Sequence, residues 1–335
     1  MPSDPPPAPP QQMMQMIGGF WITQIVHAAA RYALADHLAR EPMTAQAFAD
    51  AEDLDHQAAA RFLRACVGLG LVTRDGSRYG STDLLDTLRK DHPRSLRGFA
   101  LSQPAPGHWL PWGRFADALK TGERQTVATL GADIFDYYRT APDEAAAFTD
   151  AMSGTTIASA AEVARLLDMS GFSCAVDVGG AAGAMLFAVL QANPHLKGIV
   201  FDLPNIIPTA QAAAEAAGVR DRVEIVGGDF FETIPEGDFY LLKYILHDWD
   251  NAACIRILRN CRRVARPGAR IAVIEVLIET GGVVAPLMDL NMLVMSTGRE
   301  RTLDEYRDLL VAGGFGDVTV TRTRTPMVIL TATAV

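Results

Sequence analysis

The chain has 335 residues, room for two globular domains at about 150 residues each, and its 49% hydrophobic and 21% charged content excludes fibrous and short disulfide-stapled classes. A formal net charge of -9 opposes nonspecific attraction to phosphate backbones, so nucleic acid is not an expected partner. No run approaches the roughly 18 to 20 apolar residues that span a bilayer, and MPSDPPPAPPQQ lacks the basic head and apolar core of a secretion signal, so no membrane contact and cytoplasmic residence are expected.

Residues 1–12, rich in proline and poor in apolar surface, read as a disordered tail. From Met13 to about Ala39 apolar residues recur at helical spacing, Ile22, Ile25, Val26, Ala29, Ala33 and Leu34 among them. Left exposed, Met13, Met14, Met16, Phe20 and Trp21 would form a large apolar patch, so burial against a second copy is the cheaper outcome and a homodimer through these helices is expected. Thr44 and Asp55 are placed to cap two short helices. The following GLVTRDGSRYGST predicts a strand, an Asp75-Gly76 turn and a second strand. Helix, helix and hairpin make a winged helix, which places a dimerisation domain over 13–100; its second helix offers nucleic acid only Arg61 and Arg64. Residues 101–170 read as a helical linker, with Trp109 in a proline-punctuated stretch and Phe148 and Met152 on a long closing helix.

After Gly171 apolar runs alternate with helical stretches: CAVDVGG, GIVFDLP, RVEIVGGD, FYLLKYILHD and RIAVIEVL predict five buried strands. The fold class is therefore α/β, a doubly wound, mostly parallel sheet over 171–335. The last segment, FGDVTVTRTRTPMVILTATA, has no room for a helix between two strand-like runs and predicts an antiparallel hairpin at the sheet edge. Ligands of such sheets bind outside the carboxyl ends of the strands. Those ends are ionisable: Asp177 before the loop Gly179-Gly180-Ala181-Ala182-Gly183, Asp202, Asp229, His247 with Asp248, and Glu275. A glycine loop entering a helix lets backbone N–H groups approach a polar ligand, and Asp202 is placed like an acid that holds a ribose diol. Asp229 stands where an adenine amine is read, and the hairpin replaces the second mononucleotide half of a dinucleotide fold, so S-adenosylmethionine fits better than NAD. Cys66, Cys174, Cys254 and Cys261 form no Cys-x-x-Cys pair; reduced packing thiols and no metal are expected.

These residues carry a resemblance. Asp177-Val178-Gly179-Gly180, Phe201-Asp202-Leu203-Pro204, Gly228-Asp229-Phe230-Phe231, Leu246-His247-Asp248-Trp249 and Glu300-Arg301-Thr302 follow the motif order of S-adenosylmethionine-dependent O-methyltransferases of the caffeate, acetylserotonin and phenazine type, which the chain resembles from about Met13 onward. The resemblance implies that Asp177, Gly179, Gly180 and Gly183 support the methionine part of the cofactor, Asp202 and Leu203 the ribose, Asp229 and Phe230 the adenine, with Lys243 a further cofactor contact. It implies His247 as general base beside Glu275 and Glu300, and an acceptor pocket lined from Trp109, Phe148, Met152, Asp248 and Met292. Asp248 also reads as the cap of the following helix. One departure is Ala181, where the family loop usually has a third glycine: its methyl group is expected to crowd the cofactor or forbid positive φ.

The reaction implied is methyl transfer to a hydroxyl of a small aromatic or polyketide-like acceptor, with a neutral imidazole removing the proton as attack proceeds. Two alternatives stay open on sequence alone: a non-methylating decarboxylase, hydroxylase or pericyclase on the same scaffold, to which Ala181 points, and a ligand-sensing winged-helix regulator.

Overall fold

A computed structural model of the chain describes residues 8–335, the side chain of Ala158 excepted. Two compact units divide them: residues up to Pro106 with Ala146–Ala151, and Gly107–Ala145 with Met152–Val335. The expected linker 101–170 is thus shared between the units. Among the described residues no helix is long and apolar enough to cross a membrane.

In the first unit a helix already begins at Pro9 and runs to Ile17. Proline suits a first turn because its missing N–H has no intrahelical partner there and its φ is preset, and the Gln11 side chain accepts from the Ala8 amide at 3.1 Å. Residues 9–12 therefore correct the expectation of a tail; residues 1–7 of that tail lie outside the described residues. The next helix, Gly19–Arg31, buries Ala29 and Ala30, while Met13, Met14, Met16, Phe20 and Trp21 stay exposed, Met16 at 75% and Trp21 at 63%. Strand β1 (Met43–Thr44) leads into helices Ala45–Ala51 and His56–Gly68, capped by Thr44 and Asp55 as expected. Strands β2 (Val72–Asp75) and β3 (Arg78–Ser81) complete a small sheet in the order β1-β3-β2. The hairpin turn lies one residue later than expected: Asp75 is still paired with Arg78, and Gly76 supplies the positive φ of +57°.

The second unit carries seven strands, β4 (Cys174–Val178), β5 (Lys197–Asp202), β6 (Val223–Gly227), β7 (Gly237–Lys243), β8 (Ala265–Val276), β9 (Phe315–Arg322) and β10 (Met327–Ala334), ordered β6-β5-β4-β7-β8-β10-β9. Only β10 runs antiparallel to its neighbours β8 and β9, which is the predicted terminal hairpin. Period-two alternation feeds two cores: Phe239 and Leu241 face one, Tyr240 and Leu242 the other. Helices Ala184–Ala192 and Ile207–Ala216 cover the first face; Asn251–Val264 and Leu303–Ala312 cover the second. The strand order reverses at β4, which opens the crevice at the carboxyl ends of β4 and its neighbours.

Two details differ from the sequence reading. The strand predicted through Asp248 ends at Lys243, and His247 sits on a short 3₁₀ turn, Leu246–Asp248. The helix that follows is capped by Asp250, whose carboxylate accepts from the Ala253 amide at 2.8 Å, so Asp248 is freed from the capping role expected of it.

Candidate active site

The loop after β4 lies close against its surroundings. Gly179 takes φ +68°, and a Cβ there would come within 2.4 Å of Ile245 Cδ1; one on Gly180 would meet the Asp177 carboxyl at 2.8 Å. Ala181 nonetheless adopts φ +49°, so its methyl group does not forbid the left-handed conformation. A non-glycine residue pays roughly 1–2 kcal/mol there, and the Ala181 amide is held by a 2.7 Å bond to Asp202 Oδ2. The other Asp202 oxygen accepts from Leu203 N at 2.7 Å. Burial pushes the Asp202 carboxyl above its ordinary range while these two amides pull the other way. Asp177 lies beneath the loop, accepting from Leu186 N at 3.3 Å, and burial raises it to about 7.

On the far side of β5, Asp229 Oδ1 accepts from Phe231 N at 2.8 Å, and Asn260 Nδ2 donates to the carbonyls of Phe230 and Phe231. Phe230 and Phe231 meet Trp249 edge-on, at centroid distances of 5.9 and 4.7 Å. Trp249 thereby joins the Asp229-Phe230 segment to the turn that carries His247.

That turn is buried and acidic. His247 Nδ1 lies 2.9 Å from Glu300 Oε1, while Nε2 is 3.6 Å from Asp248 Oδ1, too far for a hydrogen bond. Glu275, fully buried on β8, accepts from Leu246 N at 3.1 Å. Glu275 Oε2 and Glu300 Oε2 are buried with no hydrogen-bond partner among the described residues. Burial by itself disfavours the imidazolium, but the carboxylates of Asp248, Glu275 and Glu300 outweigh it and push His247 up to about 10. Burial also raises Asp248 to about 6 and Glu275 to about 7, and lowers Lys243 to about 8 against the pull of Glu275 and Asp177.

Three supports escaped the sequence reading. Arg301, 0% exposed, donates to the carbonyls of Leu246 (2.7 Å) and Trp249 (2.6 Å) and to Asn251 Oδ1, so a cation clamps the turn from behind. Gly298 packs so closely on the turn that a Cβ would lie 1.9 Å from the His247 carbonyl. Asp289 Oδ1 accepts from Glu300 N at 2.9 Å and seats that residue. Arg301 was visible inside the motif Glu300-Arg301-Thr302, but nothing local announces that its partners lie about fifty residues earlier.

The acceptor-side candidates are less tightly gathered. Asp248 is beside His247, Met292 is buried with its sulfur 3.6 Å from Ser296 Oγ, and Trp109 and Met152 are half-buried with no hydrogen bond or ring stacking to His247. Phe148, half-buried, belongs to the first unit. A groove of about 460 Å³ lined by Arg165, Gln191, Asn193 and several alanines contains none of the strand-end residues. No group of metal-ligating side chains occurs among the described residues.

The residues present fit S-adenosylmethionine. Asp202 presents a carboxylate already ordered by two amides at the end of β5, suited to a diol, and the glycines beside it let the loop pack against Ile245 and the Asp177 carboxyl where a Cβ would collide. Asp202 would hold its ribose, the Gly179 loop its methionine part with Lys243 as a further contact, and Asp229 with Phe230 its adenine.

Comparison with known proteins agrees on the cofactor. A family profile described as an O-methyltransferase domain matches residues 112–316, and one described as an O-methyltransferase dimerisation domain matches residues 14–91. A phenazine O-methyltransferase of Lysobacter antibioticus is 34% identical over 90% of this chain and 90% of its own. O-demethylpuromycin-O-methyltransferase of Streptomyces alboniger is 36% identical over 94% of this chain and 85% of its own. Among solved structures, an O-methyltransferase from neocarzinostatin biosynthesis, in complex with S-adenosylmethionine and 2-hydroxy-5-methyl naphthoic acid, superposes with a TM-score of 0.80 at 30% identity, over 94% of this chain and 96% of that one.

Proposed function

The chain belongs to the O-methyltransferase family and is an S-adenosylmethionine-dependent enzyme, and from that premise we propose that it methylates a phenolic hydroxyl of a small aromatic secondary metabolite, with His247 as the proton acceptor. The acceptor class follows the relatives, whose names specify phenazine, O-demethylpuromycin and, in the solved complex, a hydroxynaphthoic acid. When bound, S-adenosylmethionine supplies an electrophilic methyl group on a sulfonium sulfur.

The observation that carries the role of His247 is its asymmetric bonding: Nδ1 is engaged by Glu300 at 2.9 Å, and Nε2 has no hydrogen bond among the described residues. Nε2 is therefore the nitrogen left to meet the acceptor hydroxyl. A phenol titrates at about 10, well above a free imidazole, and the carboxylates that push His247 upward narrow that gap, so the proton passes from acceptor oxygen to Nε2 at a lower free-energy cost. Glu275 and Glu300 stabilise the resulting imidazolium, Asp202 and Asp229 fix the cofactor end, and the turn sets the approach of one to the other. The expected outcome for His247→Ala is turnover lowered by roughly 10² to 10⁴ with cofactor affinity within about twofold. Mass-spectrometric screening of phenolic acceptors followed by steady-state kinetics and calorimetry measures both, and near-native turnover in the variant would remove His247 from the reaction.

We also infer that the exposed apolar residues Met13, Met14, Met16, Phe20 and Trp21 are covered in a homodimer, in keeping with the dimerisation-domain match.

A further inference from the structure

Tyr244, the first residue past β7, is a non-glycine residue in the left-handed region, at φ +54°. Such a conformation persists only where the surroundings over-determine it, and at catalytic centres it often serves to aim a side chain. Its amide still donates to Ile274 O of β8 at 3.2 Å, so the backbone is pinned to the sheet at the point where the chain turns away. The reversal lays the phenol ring face to face with the His247 imidazole, centroids 4.9 Å apart and planes 17° from parallel. The Lys243 ammonium lies 4.1 Å from the centroid of the same ring.

A hydrogen bond at Nδ1 fixes one point of an imidazole and leaves its plane free to rock about that bond. A parallel aromatic neighbour removes this remaining freedom. The electron-rich ring face also favours the cationic form of the imidazole, in the same sense as Asp248 on the turn, Glu275 on β8 and Glu300 in the loop before helix Leu303–Ala312; Lys243 on β7, over the same ring, and Arg301, behind the turn, are the cations nearby. We infer that Tyr244 is a positioning residue of the methyl-transfer reaction, whose stacked ring fixes the plane of His247 so that Nε2 meets the acceptor hydroxyl. This rests on His247 being the base.

The test compares Y244F with Y244N in the full-length enzyme, because asparagine adopts the left-handed region readily and so deletes the ring while easing the backbone. Melting followed by circular dichroism checks that the variants fold, and Y244L serves as a second ring deletion. Two readouts are taken: turnover of the phenolic acceptor found in the screen, and titration of His247 by NMR on ¹³C-histidine-labelled enzyme saturated with S-adenosylhomocysteine, its signal identified by its loss in H247A. The expected result is that Y244F stays within about twofold of native turnover, while Y244N lowers kcat about tenfold or more, keeps acceptor KM within about threefold, and moves the His247 midpoint downward. Added to H247A, Y244N is expected to cost nothing further, because the ring acts through the imidazole. A native His247 titration in Y244N, an equal loss of kcat in the H247A background, or a loss in Y244F as large as in Y244N would each overturn the inference. If instead H247A itself keeps turnover, the assignment of His247 as base fails, whatever the NMR titration shows of the stacking.

Discussion

His247 draws its basicity from carboxylates that are themselves held against ionisation by burial. His247, Asp248 and Glu275 titrate as one coupled set, so the acidic limb of activity belongs to the cluster rather than to one residue. Because the shifts of these three are upward, the limb is expected above the ordinary histidine value of ~6.5, with kcat/KM rising as pH increases beyond neutrality. Glu275→Gln removes one carboxylate that favours the imidazolium and is expected to move the limb to lower pH. A pH–rate profile measures both, and a native limb at or below the ordinary histidine value contradicts the assignment. Ala181 makes a second residue-scale case. It occupies the left-handed region at φ +49°, so Ala181→Gly relieves roughly 1–2 kcal/mol of strain and gives back about 0.4–1 kcal/mol through the freer unfolded chain. A net gain of a few tenths to about 1 kcal/mol in urea melts is expected, with cofactor affinity no weaker.

At the scale of elements, the turn from Tyr244 to Trp249 is built by distant partners. Tyr244-Ile245-Leu246 is apolar and aromatic, so its composition reads as a continued strand. What ends the strand is tertiary: Arg301 takes the Leu246 and Trp249 carbonyls, Glu275 takes the Leu246 amide, and Gly298 admits the His247 carbonyl where any side chain would collide. Gly298→Ala places a Cβ 1.9 Å from that carbonyl, against backbone that cannot yield without moving the turn. The expected outcome is a loss of kcat of about tenfold or more with cofactor affinity kept within about threefold, read by single-turnover kinetics and calorimetry; native kcat would mean that the turn tolerates displacement.

For the molecule as a whole, the same upward shifts bear on stability. A raised folded pKa means that the native state holds the proton more tightly than the unfolded chain does. The stabilisation from this cluster is full below the ordinary carboxylate values and is lost as pH rises through the raised range, from about 6 to about 10. Quaternary structure is the other property of the whole. Removal of residues 1–22 takes away the exposed Met13, Met14, Met16, Phe20 and Trp21 and is expected to give monomers by light scattering where the full chain is dimeric. A full-length protein that is monomeric at micromolar concentration would contradict the homodimer.

Much of this protein is written locally. The alternation of apolar strands and amphipathic helices, the caps at Thr44 and Asp55, the glycine loop, and the acids at the ends of β5 and β8 follow from hydrophobic period and turn chemistry, which act over a few residues and so can be read in order along the chain. The terminal hairpin follows from the absence of room for a helix. Only tertiary structure decided which nitrogen of His247 is engaged, because Glu300 arrives from 53 residues away. It likewise decided that Asp250 rather than Asp248 caps the next helix, that Ala181 keeps a glycine-like conformation through its bond to Asp202, and that Tyr244 stacks on the imidazole. Each of these depends on a competition between partners that are close in space and distant in sequence, and such a competition is settled by packing and burial, which no short window of residues contains.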